Sequence, residues 1–296
     1  MTCRVAPDGF TVDQWETFNR DDIIFIENAL INQEIDDYLS AINDLTDQSG
    51  RYKEGNFLGH DNIVEKSPLF ANLIDPPRHI GYAYDLFGEL LKLHQSQVFI
   101  RPPGGSNYNI WHPDGARALL DSVFSPQLPL HIKIGYRLTD LPEDRMGNLV
   151  VLPGSRWKQY MDGYDTHQPI DGQLVVCVPK GTMTIMHSSL WHRVEPNESS
   201  VTRRNIFVAY CPSWVTPADR LTSAPDWLTT LNREQRIIMR SYSRAYHNAK
   251  PPANDFPLFL DRQTAVKIET RTITEITSNW NAESDTSLPY NMLLHS

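Results

Sequence analysis

A histidine and an aspartate two residues apart, His112 and Asp114, are the first residues that could do chemistry together. They lie in the run Trp111-His112-Pro113-Asp114-Gly115, where the glycine allows the chain to turn just after the pair. Side chains alternate faces along a β-strand, so residues two apart point the same way. A histidine and a carboxylate on one face at the end of a strand provide two ligands for a metal ion. His-x-Asp alone is not specific, because it occurs by chance in many proteins.

A second histidine at a strand position, His192, completes a candidate ligand set. It lies far enough after Asp114 for several strands to separate the two residues. Two histidines and one carboxylate on a rigid β scaffold form a facial triad, which leaves three positions open on iron(II). Those positions suit a bidentate 2-oxo acid and dioxygen. A cysteine in the set would have indicated zinc or copper instead, so the residue types predict Fe(II).

An arginine follows His192 by eleven residues, with Pro196 and Asn197 signalling a turn midway. The segment is predicted to be a hairpin in which His192 and Arg203 lie directly opposite each other. Opposed residues share a face of the sheet, so Arg203 should project into the metal cavity and Arg204 away from it. A guanidinium can bind a carboxylate through two hydrogen bonds, which suits the distal carboxylate of 2-oxoglutarate. A one-residue bulge would exchange the roles of the two arginines.

Two other residues compete for these roles. His187 lies five residues before His192, and that odd spacing turns it to the opposite face of a regular strand. We expect His187 to be a packed histidine or to lie behind the ligands. Lys133 is a candidate second partner for an oxo-acid carboxylate, and the alternative is an ordinary lysine at the cavity rim or surface. The remaining histidines without a partner at metal-ligand spacing are expected to be incidental: His60, His79, His94, His167, His247 and His295.

Aromatic residues flank the candidate site. Trp111 and Trp191 each precede a predicted ligand, so each should face away from the metal into the outer packing. Tyr108, Phe124 and Trp157 fall in loops at the predicted cavity mouth. There they could contact an apolar substrate or seal a small satellite core.

The first hundred residues read as mostly helical. Thr11 to Gln14 has capping-box spacing, residues 23–26 indicate a short strand, and the apolar spacing over 32–45 predicts an amphipathic helix. Pro77 is a good first-turn residue, and a helix is predicted over 77–93. Helix is predicted again from Asn232, which opens another run with capping-box spacing.

Between these helical parts the pattern changes to short β-like runs separated by turn clusters. Eight runs are predicted: 97–101, 109–112, 131–138, 148–152, 174–178, 182–187, 190–194 and 204–210. The spacing predicts a mainly β protein with a sandwich or barrel of jelly-roll type as its core, flanked by N- and C-terminal helices.

The whole chain, 1–296, is predicted to be a single domain. Its jelly-roll core covers about 97–213, the helical N-terminal part 11–96, and the helical and tail part 214–296. Within that last part, residues 264–296 are polar and weakly patterned, which predicts an edge strand near Val266–Ile268 followed by a loose tail, or disorder.

Composition excludes several partners. The chain has 27 Lys and Arg against 36 Asp and Glu, a net charge of −9. This excess of acid argues against a nucleic-acid partner and against a role at a membrane surface. No apolar run is long enough for a signal peptide or a transmembrane helix, and the three cysteines are too few for a disulfide framework. These features predict a cytoplasmic protein, and they leave its oligomeric state open.

Taken together, the motifs resemble the phytanoyl-CoA dioxygenase-like branch of the Fe(II)/2-oxoglutarate oxygenases. The resemblance covers roughly residues 11–213. It rests on the aromatic-His112-x-Asp114 element, on Met146-Gly-Asn-Leu-Val-Val-Leu-Pro-Gly-Ser155, on the stretch 181–197, and on the arginine eleven residues after His192. It implies a double-stranded β-helix with iron held by His112, Asp114 and His192, and with Arg203 as the 2-oxoglutarate anchor.

The chain departs from the family pattern in two places. Arg193 follows the second histidine where the family often has glycine, and Arg156 ends the Pro-Gly-Ser element where the family often has histidine. Both changes are expected near the cavity mouth. Asp114 stands where halogenating relatives have a small residue, so the resemblance favours hydroxylation or a related oxidation.

The sequence therefore predicts a non-haem Fe(II)- and 2-oxoglutarate-dependent dioxygenase. It is expected to hydroxylate an unactivated C–H bond of a small organic molecule, with O2 as cosubstrate and with release of succinate and CO2. A natural-product or catabolic intermediate is the expected substrate, and a CoA thioester is the possibility that family analogy adds. Two alternatives are a cupin-like metal isomerase or hydrolase that needs no oxo acid, and a silent jelly roll that binds a ligand or partner.

Overall fold

A computed structural model describes the fold through residues 5–50, 57–104, 109–114, 129–157, 167–240, 258–259 and 261–262. The predicted edge strand and tail beyond residue 263 lie outside these described residues, as do Tyr108 and Phe124. The single-domain organisation remains a prediction.

Two helices begin the chain, and both were predicted. Helix α1 spans Val12–Asp21, and Thr11 and Gln14 close a capping box at its start. Strand β1 follows at Ile23–Ile26, and helix α2 spans Asn32–Ser49, four residues longer than the predicted end. The apolar face of α2 is buried, and Ile42 within it is fully covered. Burial of such a stripe, rather than helix propensity alone, is the main source of a helix's stability.

The third long helix is shorter than predicted. After the short helix α3, Pro68–Ala71, helix α4 spans Pro77–Phe87 and not 77–93. Gly88 ends it with a φ of 66°, a left-handed conformation that glycine adopts without strain. Only a short connection follows, because strand β3 begins at Lys92.

All eight strands predicted in the central part are present, with ends shifted by a few residues. In addition to β1, the structure contains β2, Leu58–Asp61, which the sequence did not predict. The others are β3 Lys92–Arg101, β4 Asn109–His112, β5 Ile132–Arg137, β6 Leu149–Val151, β7 Leu174–Val175, β8 Met183–His187, β9 His192–Val194 and β10 Arg203–Cys211.

The strands form two antiparallel sheets, in agreement with the predicted jelly roll. The larger sheet has the order β1-β8-β5-β10-β3-β2, and the smaller sheet has the order β4-β9-β6-β7. Consecutive strands therefore often belong to different sheets, as they do when a chain winds around a double-stranded β-helix. Between the sheets, one end is filled by an apolar cluster, and the other end is a cavity. The cluster consists of Ile23, Leu149, Val151, Val176, Met186 and Leu190.

The outer face of the larger sheet is covered by the N-terminal helices. His79 of α4 is fully buried, and its two ring nitrogens each lie 2.6 Å from a tyrosine hydroxyl, that of Tyr136 on β5 and that of Tyr210 on β10. Buried polar groups of this kind must be hydrogen-bonded, since an unpaired one costs about 1–3 kcal/mol. The three residues therefore attach α4 to two neighbouring strands.

Two short helices follow the core. Helix α5 spans Pro225–Thr229 and helix α6 spans Arg233–Ile238, with the predicted capping box of Asn232 and Gln235 present at the start of α6. Among the residues that the structure describes, no helix is both long and apolar enough to cross a membrane.

Candidate metal centre and cosubstrate pocket

The structure brings the three predicted ligands together at one end of the cavity. His112 on β4 and His192 on β9 are directly paired across the smaller sheet, and their ring centroids lie 4.4 Å apart. Asp114 lies two residues beyond His112, just past the end of β4. One ligand atom from each residue can be chosen so that all three lie within 4.8 Å of one another. Within the described part of the chain, this is the group of side chains arranged to hold a metal ion.

Backbone carbonyls orient both histidine rings. Nδ1 of His112 lies 2.7 Å from the carbonyl oxygen of Ile110, and Nδ1 of His192 lies 3.0 Å from that of Leu190. When Nδ1 donates to a carbonyl, Nε2 carries the lone pair that a metal needs. The two Nε2 atoms lie 4.0 and 3.8 Å from Oδ1 of Asp114. Both separations are shorter than twice an ordinary metal–ligand bond of ~2.1 Å, so the residues fit a shared ion.

Neighbouring groups, first of all the ammonium of Lys133, keep Asp114 ionised. Burial opposes its charge, but Lys133, His192 and His131 outweigh that effect and hold the pKa of the carboxyl well below its usual range. Nζ of Lys133 lies 2.6 Å from Oδ2 of Asp114, and Nε2 of His131 lies 3.9 Å from the same oxygen. Lys133 is therefore neither an ordinary surface lysine nor placed beside Arg203. It belongs to the metal end of the cavity.

Arg203 lies in the same cavity, but the predicted hairpin was wrong. His192 pairs within the smaller sheet, with β4 and β6, whereas Arg203 pairs within the larger sheet, where Arg101 lies opposite it. The chain between them crosses from one sheet to the other instead of turning back on itself. Asn197 stabilises this crossing by donating to the carbonyl oxygens of Arg101 and Val201.

Arg203 is one of three arginines that the larger sheet holds close together. Nη1 of Arg203 donates to the carbonyl of Gly147, and the Asn205 amide oxygen, oriented towards the guanidinium groups, accepts from both Arg203 and Arg137 at 2.8 Å. Burial, together with the charges of Arg137 and Arg101, holds the pKa of Arg203 well below its usual range. Burial also lowers the pKa of Arg101 and of Arg137 to about 10. The three guanidinium groups thus form a buried cluster of basic side chains.

Sequence reasoning missed Arg101, Arg137 and His131 as residues of this region. Strand parity groups each of them with residues that line the cavity, although parity alone does not say which face of a strand is turned inwards. Gln95, Gln97, Phe99 and Arg101 alternate along β3 and all line the cavity. Lys133 and Arg137 on β5, and His131 just before it, share the parity that faces inwards, as the contact of Lys133 with Asp114 shows.

The cavity has a volume of about 270 Å³, and nine of its fourteen lining residues are polar or charged. Arg203 and the three predicted metal ligands line the same cavity. Its wall also includes residues of β3, β5, β8 and β10 of the larger sheet. The lining consists of Gln95, Gln97, Phe99, Arg101, Asn109, His112, Asp114, Lys133, Leu149, Met186, His192, Val194, Arg203 and Phe207.

The rival ligand and the two tryptophans lie where the strand pattern placed them. His187 follows the cavity-lining Met186 on β8, is buried, and packs 6.2 Å from the ring of Phe18 on α1. Trp111 and Trp191 are buried together on the outer side of the smaller sheet, with Val150 and Leu152. None of the three residues faces the cavity.

Arg156 and Arg193, the two departures from the family pattern, were expected near the cavity mouth. Neither residue lies there. Arg156 is buried away from it, with Nε 2.8 Å from Oδ1 of Asp22, and it also donates to Asn19. Arg193 points to the outer side of the smaller sheet, where its guanidinium lies 5.3 Å from the ring of Trp111. The reason is parity: His192 faces inwards, so the next residue must face outwards.

Comparison with known protein families shows to which family the chain belongs. The family described as phytanoyl-CoA dioxygenase (PhyH) matches the chain over residues 18–205, a stretch that includes all four predicted site residues. The chain belongs to the phytanoyl-CoA dioxygenase family. Membership confirms the resemblance seen in the sequence and, with it, an Fe(II)- and 2-oxoglutarate-dependent dioxygenase as the class of enzyme.

Two other dioxygenases are similar to this chain in amino-acid sequence. A probable alpha-ketoglutarate-dependent hypophosphite dioxygenase of Stutzerimonas stutzeri is 28% identical over 169 residues, which are 50% of this chain and 56% of the relative. An ectoine dioxygenase of Bordetella bronchiseptica is 22% identical over 236 residues, which cover 69% of this chain and 76% of the relative. The chain thus spans little more than half the length of the first and about three quarters of the second.

A solved structure shares the fold. EctD from S. alaskensis, determined with 2-oxoglutarate and 5-hydroxyectoine, superposes with a TM-score of 0.58 at 20% identity and covers 72% of this chain and 80% of its own. At that identity the likeness concerns the fold alone, and it confirms the predicted jelly-roll core.

Proposed function

We propose that this dioxygenase hydroxylates a small polar molecule, with iron held by His112, Asp114 and His192 and with the distal carboxylate of 2-oxoglutarate bound by Arg203. One observation carries the proposal. A facial set of two histidines and a carboxylate and a buried arginine line the same cavity of about 270 Å³.

The ligand set suits iron(II) by its chemistry. Two imidazole nitrogens and one carboxylate oxygen are the donors of the facial triad of non-haem iron oxygenases, which leaves three positions open. Iron bound there would supply the activation of dioxygen that the oxidation of a C–H bond requires. The chain itself contributes orientation: carbonyl contacts fix both rings, and the carboxylate stays ionised beside the ammonium of Lys133.

The arginine end suits the dianionic cosubstrate. Arg203, Arg101 and Arg137 repel one another in a buried setting, and an anion between them would offset that repulsion. Arg203 bonds to Gly147 and Asn205, which hold its side chain in place. A guanidinium held in this way loses little entropy when it binds a carboxylate. We assign it to the end of the oxo acid that is remote from the metal.

The cavity's size and polar lining residues support a small polar substrate rather than a CoA thioester. The volume of about 270 Å³ lies just below the ~300–1,000 Å³ typical of ligand pockets, and the oxo acid would occupy part of it. Gln95, Gln97 and Asn109 are among the lining residues, and amide groups suit the hydrogen-bonding of a polar substrate. Two of these amides also have a partner within the protein: Nε2 of Gln97 donates to Asp61, and Oδ1 of Asn109 accepts from the backbone N–H of Val194. The relatives named for hypophosphite and ectoine also act on small polar compounds, which supports the same class.

The test has two stages. In the first, Fe(II) and 2-oxoglutarate are added to the protein without oxygen, and a visible charge-transfer band is expected. In the second, succinate release is measured with oxygen against pools of small polar compounds, catabolic intermediates and CoA thioesters, and a polar pool should stimulate it.

Each alternative gives a different result. Turnover of a compound without succinate would indicate a metal isomerase or hydrolase. Absence of specific iron uptake would indicate a silent binding protein, and stimulation by CoA thioesters alone would overturn the substrate class.

A further inference from the structure

The two oxygens of the Asp114 carboxylate have different surroundings. Oδ1 faces the two histidines and lies 4.0 and 3.8 Å from their Nε2 atoms. Oδ2 faces the other way, 2.6 Å from Nζ of Lys133 and 3.9 Å from Nε2 of His131. One oxygen is thus available to a metal ion, and the other is engaged by a lysine.

Lys133 reaches this position from the opposite sheet. It lies on β5, where it pairs with Met186 on β8 and with Ala209 on β10, while Asp114 follows β4 of the smaller sheet. Its ammonium also lies 5.6 Å from the ring centre of Phe207, so the side chain is packed along the cavity wall. Asp114 lies beyond the last strand residue, so ladder hydrogen bonds do not set its side-chain orientation, and the contact with Lys133 does.

We propose that Lys133 is a positioning residue that makes Asp114 a one-oxygen ligand and thereby keeps a coordination position open. The proposal rests on the proposed function. A carboxylate can bind a metal through one oxygen or both. A charge-assisted hydrogen bond, the stronger kind in proteins, occupies Oδ2. The two histidines and Oδ1 would then hold the ion through three ligand atoms, which would leave positions free for a bidentate oxo acid and dioxygen.

This role differs from the one the sequence had offered for Lys133, a direct partner of an oxo-acid carboxylate. Lys133 lies four residues before Arg137 on β5, towards the metal end, and its ammonium is already engaged by Asp114. The ring of His131 stacks on that of His94, with 5.0 Å between the ring centroids. Its Nε2 lies 3.9 Å from Oδ2 of Asp114 and supports the same orientation of the carboxylate.

The decisive experiment is X-ray absorption of the Fe(II)-loaded protein without oxo acid, for wild type, Lys133→Met and Lys133→Arg. A two-oxygen carboxylate brings its carbon close to the metal and adds a short metal–carbon distance to the spectrum. That signature is expected in Lys133→Met and absent from wild type and Lys133→Arg. The same spectrum for wild type and Lys133→Met would overturn the proposal.

A second measurement separates positioning from direct contact. In Lys133→Met the dissociation constant of 2-oxoglutarate for the Fe(II) protein should rise about tenfold, the lower range for lost support of a metal ligand, and Lys133→Arg should restore it. Lys180→Met, which alters an exposed lysine, is the control. Weaker oxo-acid binding with an unchanged metal spectrum would assign Lys133 to the cosubstrate and refute the positioning role.

Folding and function are controlled separately. Circular dichroism and the melting temperature show whether Lys133→Met is folded, and Lys133→Gln, which keeps a polar side chain, takes its place if it is not. If wild type binds iron but no oxo acid, the proposed function fails, while the X-ray comparison still tests how Asp114 binds the metal.

Discussion

His112 and His192 face each other as a directly paired couple on two antiparallel strands of the smaller sheet. Strand pairing fixes the spacing of the two histidines, and their carbonyl contacts fix the rings. Asp114, beyond the end of β4, is the member of the set that depends on side-chain contacts for its orientation.

Removal of the carboxylate should therefore abolish the cosubstrate complex without unfolding the protein. Asp114→Ala takes away the ligand set's negative charge and leaves two neutral imidazoles. We expect no charge-transfer band when Fe(II) and 2-oxoglutarate are added without oxygen, together with an unchanged circular dichroism spectrum. Asp171→Ala, at an exposed position, is the control and should keep the band. A full band in Asp114→Ala would remove this residue from the site.

Arg203→Ala should weaken 2-oxoglutarate binding and spare the metal. A hydrogen bond to a charged group is worth about 1.5–3 kcal/mol, so the dissociation constant should rise roughly 10- to 100-fold, measured by titration of the band. With 2-oxovalerate, which lacks the distal carboxylate, wild type and variant should bind alike. Arg204→Ala is the matched control. If that control shows the larger loss, the two arginines have exchanged roles.

Arg156→His, which restores the residue that the family often has, should destabilise the fold. Arg156 is buried, and Oδ1 of fully buried Asp22 lies 2.8 Å from its Nε. Loss of one partner of a buried ion pair costs about 3–5 kcal/mol, because the other charge stays uncompensated. Urea denaturation should show this loss, and Arg20→His, at an exposed ion pair, should show little change. Iron binding should be unaffected, since Arg156 lies away from the cavity.

The buried His79 should make the fold sensitive to acid. Burial lowers its pKa to about 3, below the ordinary 6.5 that it regains on unfolding. Between pH 6.5 and 3, His79 is therefore protonated in the unfolded chain but neutral in the native protein. The contribution of His79 to the free energy of unfolding, present above pH 6.5, is lost as the pH falls towards 3. At pH 5 the loss from this residue is about 2 kcal/mol, at 1.36 kcal/mol per unit.

His79→Gln checks that assignment. The variant is less stable overall, because the contacts with Tyr136 and Tyr210 change. The informative quantity is the difference in free energy of unfolding between wild type and variant, measured from pH 7.5 to 5. It should shrink as the pH falls below 6.5. A difference that stays constant over this range would contradict the assigned pKa.

The sequence predicted the elements well, because apolar periodicity and capping residues act locally. Thr11 and Asn232 both began helices as predicted, and all eight central strands were present. The end of α4 was missed because the left-handed Gly88 outweighed the apolar pattern that continues through Leu90 and Leu91. Leu90 is in fact exposed.

The sequence predicted the residues of the candidate site, but not how the strands bring them together. Parity placed His112 and Asp114 correctly, but a turn signal does not reveal whether the chain returns within one sheet or crosses to another. Arg203 therefore reached the cavity by a different route from the one inferred. Alternation on β5 likewise separates an apolar face from a polar one, and it does not say that the polar face, with Lys133, lines the interior.

The crossing between His192 and Arg203 has a mechanical consequence. The histidines belong to one layer of the sandwich and the arginine to the other, so under the proposed function a bound oxo acid would link the two layers. Its binding free energy then adds to the resistance of the sandwich against opening, about 2.7 kcal/mol at a concentration of 100 Kd. The length of the oxo acid that fits is set by the gap between the layers. Leu149 and Met186 belong both to the apolar cluster between the layers and to the cavity wall, so repacking them should change which oxo acid is accepted.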